Sequence, residues 1–484
     1  MQNKYDVLVI GAGIIGACVL QELSKFQLKI AVIDKENDAA EGTTKANSAI
    51  VHAGYDPVPG TKMALHNVRG NRMVKDLCER YHVAYKECGS LVIATDEDEV
   101  KSVEKLYARG VENGVPGIRI LSAEETKAIE PNLRENILCS LYAPTAGVVN
   151  PWELCIALTE TAVKNGADHY FGQAVTDIKR EADGYAVTLA DGTVLYTSYL
   201  VSAAGIYADR IHEMLAPADF TITPGKGEYF LLDKNQGHLV EHVIFQCPSK
   251  AGKGILVSPT VHGNLIVGPD RTDGTEREDY SVEADHLREI REISKKTCDK
   301  VDFRQSIRNF AGLRAISGIE DFIIREIDGC PGAIELAGIQ SPGLSSSPSI
   351  ALEAVELLEK AGLKLNKKEH FIDSREIVRM KELSPEERQK KIAENPLYGR
   401  IICRCESITE GEIVDALKSP IAPPTVDAVK RRTGAGMGRC QGGFCLPRVL
   451  EIIARERGID PAAVQKDKDG SFILLARSGE EDAE

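Results

Sequence analysis

Four cysteines near the C-terminus have a spacing that suits metal coordination. Cys403 and Cys405 form a C-x-C pair, and Cys440 and Cys445 form a C-x4-C pair further along the chain. Four thiolates can hold a [2Fe–2S] cluster or a structural zinc ion. Zinc sites usually use C-x2–4-C pairs at both ends, so the C-x-C pair favours the cluster. Zinc and a plain set of core cysteines remain the alternatives.

The surroundings of the second cysteine pair also favour a cluster. Five glycines flank this pair: Gly434, Gly436, Gly438, Gly442 and Gly443. Small residues let backbone N–H groups approach the sulfur atoms, and such hydrogen bonds stabilise a reduced cluster. The sequence therefore predicts a carrier of single electrons at this end of the chain.

A glycine-rich segment near the N-terminus has the spacing of a dinucleotide-binding turn. Gly11, Gly13 and Gly16 lie between a strand predicted over 5–10 and a helix predicted to about residue 25. The first glycine allows a tight turn, the second lets the backbone approach a pyrophosphate, and the third lets helix and strand pack closely. A second predicted strand, 28–33, ends at Asp34, which is placed to accept hydrogen bonds from a ribose diol.

Two further segments favour FAD over NAD at this turn. Residues 43–48 carry hydroxyl and amide groups suited to lining a phosphate or a flavin edge, and residues 338–344 form a second glycine-rich turn. A helix predicted over 348–360 follows that turn, and its N-terminus would favour the negative charge of reduced flavin. Nicotinamide moves a hydride, whereas flavin accepts a hydride and releases single electrons. A dinucleotide fold joined to a cluster therefore predicts flavin chemistry.

Length and composition narrow the class of protein. The chain has 484 residues, 43% of them hydrophobic and 27% charged, which predicts two or three folded domains. The formal net charge of −14 disfavours a general nucleic-acid binder but permits a local basic pocket for an anionic substrate. No apolar run is long enough to span a bilayer, and no signal peptide precedes the first strand. We expect a cytoplasmic protein, at most peripheral to the inner membrane.

Strands and helices alternate through the first part of the chain, which predicts an α/β fold. Residues 1–362 are predicted to form one oxidoreductase unit with interleaved nucleotide-binding and substrate subdomains. A charged linker over 363–400 follows, with a short helix after Ser384. A small unit over 401–476 carries the four cysteines, and an acidic tail covers 477–484.

Residues 1–362 resemble the FAD-dependent oxidoreductases of the D-amino-acid oxidase and glycerol-3-phosphate dehydrogenase superfamily. The matching segments are VIGAGIIGACV, TTKANSAIVHAGYD, GVVNPWELCIAL, VSAAGIYAD, GKGEYFLL, GKGILVSPTVHGNLIVGP, FAGLRA and AGIQSPGLSSSPSIA. The C-terminal unit is similar to bacterioferritin-associated-ferredoxin-type [2Fe–2S] domains. The combination looks like the family of anaerobic glycerol-3-phosphate dehydrogenase large subunits. It implies a Rossmann-type FAD domain, an interleaved antiparallel-sheet substrate domain and a small α-rich iron–sulfur domain.

The resemblance also implies roles for single residues. FAD would be bound by Gly11, Gly13, Ile15, Gly16, Asp34, Thr43, Thr44, Ser48, Ala49, Ile50, Val175, Gly205, Gly343 and Leu344. His52 matches the histidine proposed as the base in glycerophosphate oxidases. Lys253 and Arg314 match the basic pair that holds the phosphate and hydroxyls of the substrate. Ser48 and Ser345 match positions that hold substrate oxygens.

The residues themselves leave alternatives to these roles. A histidine suits the removal of an alcohol proton, but His52 can instead be a hydrogen-bonded structural residue. Arg314 stands in an apolar context, so its partner is either an anionic ligand or a buried carboxylate. Lys253 in Gly-Lys-Gly can be an ordinary exposed lysine. We expect His262, in a turn, to be structural and Tyr229 to pack within a strand.

The predicted activity is the oxidation of sn-glycerol 3-phosphate to dihydroxyacetone phosphate. Electrons would pass from FAD to the [2Fe–2S] cluster and on to an acceptor protein or a second flavoprotein subunit. The alternatives are an L-2-hydroxyglutarate, 2-hydroxy-acid or amino-acid dehydrogenase, or an electron-transfer flavoprotein subunit whose own substrate pocket is idle. The basic run 430–432 is either a docking site for an acidic electron partner or a solvated helix face.

Overall fold

The computed structural model describes residues 4–247 and 254–475. The strands in the first half are β1 (Lys4–Ile10), β2 (Ile30–Ile33), β3 (Ile50–Val51), β4 (Tyr85–Glu87), β5 (Ser90–Ala94), β6 (Arg119–Ser122), β7 (Cys139–Ala143), β8 (Gly147–Val149), β9 (Asp168–Tyr170), β10 (Val175–Glu181), β11 (Gly184–Leu189), β12 (Val194–Ser202) and β13 (Thr223–Leu232). Those that follow are β14 (Val243–Gln246), β15 (Leu256–Pro259), β16 (Leu265–Gly268), β17 (Thr272–Asp273), β18 (Ser306–Ile316), β19 (Ile323–Glu326), β20 (Ala333–Ala337), β21 (Ile401–Cys403) and β22 (Ile408–Thr409).

The α-helices lie mostly between these strands and in the C-terminal quarter. They are α1 (Ile14–Leu23), α2 (Lys62–Arg80), α3 (Glu97–Glu112), α4 (Ala123–Ile129), α5 (Pro151–Lys164), α6 (Ala208–Glu213), α7 (Ala284–Ser294), α8 (Gly343–Lys360), α9 (Pro385–Glu394), α10 (Glu410–Leu417), α11 (Val426–Thr433) and α12 (Leu446–Arg457). None of the helices in the described ranges is both long and apolar enough to cross a bilayer.

The first sheet carries the predicted dinucleotide-binding unit. Its order is β10-β11-β12-β1-β2-β9, with β20 also paired to β12 and β19 paired to β20. Strands β12, β1, β2 and β9 run parallel, and β10 to β12 form an antiparallel meander. Helices α1, α5 and α8 pack against this sheet in one apolar core. This arrangement confirms the Rossmann-type domain, because parallel strands need crossover connections that cover the sheet with helices.

The second sheet is the predicted substrate subdomain. Its order is β17-β13-β16-β15-β14-β5-β7-β6, with β18 paired to β13. The pairs are antiparallel except β14 with β5. Its strands come from two stretches of the chain that alternate with strands of the first sheet, which confirms the interleaving. The long β13–β18 register sets Arg314 opposite Gly225 and Tyr229 opposite Phe310.

The C-terminal unit has its own core, formed by α10, α11 and α12 with the short β21–β22 pair. Thr409 and Glu412 form a capping box at the start of α10, as its sequence suggests. The segment before this unit is tied to the first domain: Arg375 and Arg379 both form ion pairs with the buried Glu153 of α5. The charged composition of this segment therefore serves specific contacts as well as solvation.

Helix α8 begins five residues earlier than the sequence suggests, at Gly343 instead of Pro348. Proline has no N–H, so Pro348 cannot donate to the carbonyl of Leu344. The hydroxyl of Ser347 donates to that carbonyl instead, at 2.9 Å. This side-chain hydrogen bond lets the helix continue through the proline. The N-terminus of α8 therefore lies at the second glycine-rich turn.

Candidate active site and metal centre

A cavity of about 1010 Å³ is lined by residues of both large sheets. It brings together most residues that the sequence assigns to cofactor and substrate: Gly11, Gly13, Ile15, Asp34, Thr43, Thr44, Ser48, Ile50, His52, Val175, Gly205, Arg314, Gly343 and Leu344. These positions are scattered over more than 300 residues of sequence, so their meeting at one cavity comes from the fold.

The glycines of the first turn have the geometry that their spacing predicts. Gly11 has φ +102°, and a Cβ there would lie 2.4 Å from the carbonyl oxygen of Ala203. A Cβ on Gly16 would lie 1.9 Å from the carbonyl oxygen of Gly11. Gly16 does not line the cavity. Its lack of a side chain allows α1 to pack close to β1.

Two helix N-termini open on this cavity. Gly13 precedes α1 and Pro342 precedes α8, and neither makes a side-chain capping hydrogen bond. The N–H of Ile14 donates to the hydroxyl of Thr44 at 3.0 Å, and the positive end of each helix dipole favours an anionic ligand. One such end suits a pyrophosphate and the other suits reduced flavin, so the residues present fit FAD.

Asp34 lies at the end of β2 and lines the same cavity. Its carboxylate accepts hydrogen bonds from the backbone N–H groups of Ala12, at 2.6 Å, and Glu36, at 2.9 Å. Burial raises the pKa of Asp34 to about 6, although both N–H groups act in the opposite direction. A ribose diol that donated to this carboxylate would stabilise its ionised form.

His52 is held on both sides of its backbone. Its N–H donates to the hydroxyl of Ser345 at 2.7 Å, and its carbonyl accepts from the side chains of Asn67 and Asn71. The ring stacks on Phe245, with centroids 5.8 Å apart, and Nε2 lies 3.3 Å from the hydroxyl of Ser341. The structure thus fixes the position of a histidine at the cavity wall.

Two residues that the resemblance assigns to substrate or FAD, Ser345 and Ala49, do not line the cavity. Ser345 is fully buried, outside the cavity lining, and supports the backbone of His52 instead of facing a substrate. Ala49 also lies behind the lining, where its N–H donates to Asn47 and its carbonyl accepts from Val149. Lys253 lies outside the described residues.

Arg314 extends into the cavity from β18. Its guanidinium lies against Gly227, where a Cβ would come within 2.7 Å of Nη2. Its guanidinium donates one long hydrogen bond, 3.5 Å, to the carbonyl of Lys226. Within the described ranges no carboxylate forms an ion pair with it, which favours the anionic ligand over the buried carboxylate as its partner.

Ser48 and Tyr229 form a polar pair on the cavity wall. Their hydroxyl oxygens are 3.2 Å apart, and the tyrosine ring stacks on Phe310 with centroids 4.7 Å apart. Tyr229 therefore packs within its strand, as expected, while its hydroxyl faces Ser48 at the cavity. His262 lies in the turn between β15 and β16, 3.2 Å from Asn150, and does not line the cavity.

A buried polar network beside Arg314 was not predicted from the sequence. The ammonium of Lys226 lies 2.8 Å from Asp279 and 3.7 Å from the fully buried Glu228. Nδ1 of His286, which lines the cavity, lies 3.0 Å from Asp270 and 3.1 Å from Glu228. The lysine already supplies a cation to these carboxylates. The charged residues of GKGEYF were the only local signal for this network.

The four C-terminal cysteines fall into two sulfur pairs. The sulfurs of Cys405 and Cys440 are 3.6 Å apart, and the Cys445 thiol is the side-chain hydrogen-bond partner that lowers the pKa of Cys403. Within the described ranges, no three cysteine sulfurs lie within 4.8 Å of one another. A single tetrahedral zinc ion needs all four sulfurs equally close, whereas a two-iron cluster needs one pair at each iron. The donor set fits a [2Fe–2S] cluster.

Backbone groups crowd these sulfurs as the glycines suggest. Contact with the sulfur of Cys445, followed by the backbone N–H groups of Gly436 and Glu406, lowers the pKa of the Cys403 thiol. A Cβ on Gly438 would lie 2.3 Å from Cβ of Cys405, so only glycine permits this close approach. None of the twelve cysteines, all of which lie in the described ranges, forms a disulfide.

The basic run 430–432 is neither a docking site nor a solvated face, so both expectations were wrong. Arg431 and Arg432 are buried and form ion pairs with Asp38 and Glu41 of the first domain. Arg432 also lies 3.1 Å from Glu160 of α5. The two arginines join the cysteine-bearing unit to the loop between Asp34 and the cavity-lining Thr43.

Comparison with known proteins places the chain in a class. The family model of FAD dependent oxidoreductases matches residues 6–357, and that of the BFD-like [2Fe-2S] binding domain matches residues 401–455. The chain belongs to the FAD dependent oxidoreductase family. Its cofactors are FAD and a [2Fe–2S] cluster, as the sequence predicts.

Individual relatives narrow the comparison. The chain is 48% identical over 471 residues, 97% of this chain and 98% of the relative, to a glycerol 3-phosphate dehydrogenase of Caloramator mitchellensis. It is 35% identical to a glycerol 3-phosphate oxidase of Mycoplasma genitalium over 75% of this chain and 96% of the relative. A solved structure, dithionite-reduced L-α-glycerophosphate oxidase from Mycoplasma pneumoniae with FAD bound, has a TM-score of 0.74 and 31% identity, covering 78% of this chain and 99% of that chain.

Proposed function

We propose that this protein oxidises sn-glycerol 3-phosphate to dihydroxyacetone phosphate and passes the electrons one at a time through its cluster. The observation that carries the proposal is the meeting of His52 and Arg314 at the cavity that binds FAD. Two relatives support the choice of substrate. One is a glycerol 3-phosphate dehydrogenase that matches nearly all of this chain, and the other is a glycerol 3-phosphate oxidase that matches most of it.

Arg314 holds the phosphate of the substrate in this proposal. A guanidinium matches the geometry of phosphate oxygens and stays charged at any physiological pH. Because no carboxylate in the described ranges neutralises it, its charge is available to a ligand. The net charge of −14 makes such a local cation the feature that selects an anionic substrate.

His52 removes the proton of the secondary hydroxyl. Its backbone is fixed by Ser345, Asn67 and Asn71, so the ring is positioned before the substrate arrives. Ser48 and Tyr229 offer hydroxyl groups to orient the substrate oxygens. When FAD is bound, it supplies the two-electron acceptor for the hydride.

The four cysteines hold the [2Fe–2S] cluster, which supplies a one-electron acceptor when bound. Arg431 and Arg432 keep this unit seated on the FAD domain, so that electron transfer occurs within one chain. The acceptor beyond the cluster is a separate protein, and any association with the inner membrane is through that partner or at the periphery.

An anaerobic titration tests the proposal. Purified holoprotein is mixed with sn-glycerol 3-phosphate, L-2-hydroxyglutarate or glycerol under argon, and the absorbance of the flavin and of the cluster is followed. We expect only glycerol 3-phosphate to bleach the flavin, followed by reduction of the cluster. Bleaching by L-2-hydroxyglutarate alone would overturn the substrate assignment, and no bleaching by any of them would point to an electron-transfer subunit.

A further inference from the structure

The loops that carry the cluster ligands expose an aromatic ring. Phe444 lies between Cys440 and Cys445 and is 84% exposed, while the neighbouring Leu446 packs on the core of the unit. Cys405 is also exposed. An exposed aromatic side chain in a loop that carries cluster ligands is available for contact with a partner, and aromatic residues are enriched at protein interfaces. We define the cluster face as Arg404, Cys405, Arg439, Phe444 and Arg448.

Ion pairs at and beside the cluster face turn their cations outward. Arg439 is 66% exposed above Asp233, which is 10% exposed. Arg400 is 63% exposed above Glu410, which is 6% exposed. Lys234 is likewise more exposed than its partner Glu406.

The remaining arginines reinforce this charge. Arg404, between two ligand cysteines, is exposed and forms no ion pair among the residues that the structure describes. Arg448 is exposed and pairs with Glu451. The more exposed member of each of the pairs of Arg439, Arg400 and Lys234 is therefore the cation, and Arg404 adds an unpaired one within the described residues, on a chain whose net charge is −14.

We propose that the cluster face docks an acidic one-electron carrier protein, with Phe444 as the apolar anchor and the arginines as the steering charges. Aromatic and arginine side chains dominate binding energy at protein interfaces, and complementary charge raises the rate of encounter. This inference rests on the proposed function, which requires an acceptor beyond the cluster. Oxidation of one substrate releases two electrons and two protons, so two carriers each take one electron from the cluster and the protons leave to solvent.

Rapid mixing of reduced holoprotein with two protein acceptors tests this face. Oxidised cytochrome b5 serves as the acidic probe and cytochrome c as the basic probe. The holoprotein is reduced with dithionite and desalted, so that the result does not depend on which substrate reduces the flavin. The variants are Phe444→Ala and Arg404→Glu, with Arg180→Glu, at an exposed position on β10 of the first sheet, as the matched charge control.

We expect both variants to lower the second-order rate constant for cytochrome b5 by at least about tenfold at low salt, and the control to leave it within about twofold. Rising salt should slow the unmodified protein and narrow the difference from Arg404→Glu. Reduction of a small dye and the absorbance of the cluster should not change. Arg404→Glu should not slow cytochrome c.

Three results would overturn the proposal. One is an unchanged rate with cytochrome b5 in both variants. Another is an equal loss with cytochrome b5, cytochrome c and the dye. The third is a loss of binding to phosphatidylglycerol vesicles without any change toward cytochrome b5, which would assign the face to a membrane surface. If Phe444→Ala lowers the cluster content, the pair Phe444→Leu and Arg404→Gln replaces the pair Phe444→Ala and Arg404→Glu. The same criteria then apply to the new pair.

Discussion

The guanidinium of Arg432 binds both carboxylate oxygens of Asp38, which lies 394 residues earlier in the chain. Nη1 donates to Oδ2 at 2.6 Å and Nη2 donates to Oδ1 at 2.9 Å. Asp38 is fully buried and also accepts from Arg431. Burial opposes ionisation of this carboxyl, but the two guanidinium groups hold the pKa of Asp38 below its usual range. One buried ion-pair network therefore connects the cluster unit to the loop that lines the cofactor cavity.

Arg432→Leu is expected to destabilise the protein, because it leaves the buried carboxylate of Asp38 with one guanidinium partner instead of two. Removal of one member of a buried pair costs about 3–5 kcal/mol. The exposed pair of Arg448 and Glu451 provides a control: Arg448→Leu should cost about 0–1 kcal/mol. Denaturant unfolding of the full holoprotein measures both.

The same variant should also slow electron transfer. In Arg432→Leu that remains folded, we expect glycerol 3-phosphate to bleach the flavin at a nearly normal rate while reduction of the cluster lags. Arg432→Lys, which keeps the charge, should restore part of the rate. Equal rates of flavin and cluster reduction in wild type and Arg432→Leu would mean that the arginine contributes stability alone.

Arg314→Leu is expected to weaken substrate binding without loss of FAD. A hydrogen bond to a charged group is worth about 1.5–3 kcal/mol, so KM should rise by about 10- to 150-fold. Arg308→Leu, on the same strand but outside the cavity lining, is the control. Steady-state kinetics with a dye acceptor, together with the flavin content of each preparation, provides the test. Parallel loss of FAD and of substrate affinity would show that Arg314 is structural.

FAD affinity is expected to fall below about pH 6. Burial raises the pKa of Asp34 to about 6 in the free protein. Donation from the ribose hydroxyls favours the ionised carboxylate, so bound FAD lowers this pKa. Affinity should then be constant above about pH 6 and decrease as the pH falls through that value. Titration of apoprotein with FAD by fluorescence measures the profile, and Asp34→Asn should bind more weakly with a flat profile over this range.

Each cysteine ligand of the cluster is expected to be required for iron binding but not for reduction of the flavin by substrate. Cys405→Ser should lose the visible absorbance and the acid-labile sulfide of the cluster, while glycerol 3-phosphate still bleaches the flavin. Cys139→Ser, at a partly exposed cysteine far from these sulfurs in the fold, should keep both cofactors. A cluster that survives in Cys405→Ser at full iron content would contradict the assignment of Cys405.

Local patterns in the sequence predicted the parts of the protein that depend on neighbouring residues. Gly11 and Gly16 predicted the turn because a tight bend and a close helix are imposed within a few residues. The capping box of Thr409 and Glu412 at the start of α10 is local in the same way. Family resemblance added the scattered positions, such as Val175 and Leu344, that no local pattern connects to the cavity.

The start of α8 could not be predicted from the sequence around it. Pro348 normally marks the beginning of a helix, and only the hydroxyl of Ser347 on the carbonyl of Leu344 allows the extra turn. The family resemblance assigned Ser345 to the substrate oxygens. Its actual partner, His52, lies 293 residues away, and only the packed structure shows that contact.

The sequence by itself indicated the two cofactors, because glycine spacing and cysteine spacing act through short stretches of backbone, and its family resemblance implied the fold. The tertiary structure decided which charges are free to act. Arg314 and Arg404 remain without carboxylate partners in the described ranges, whereas Arg431 and Arg432 are neutralised by acids from another domain. Pairing of charges depends on which distant surfaces meet on folding, and that information is not carried by the neighbours of a residue in the chain.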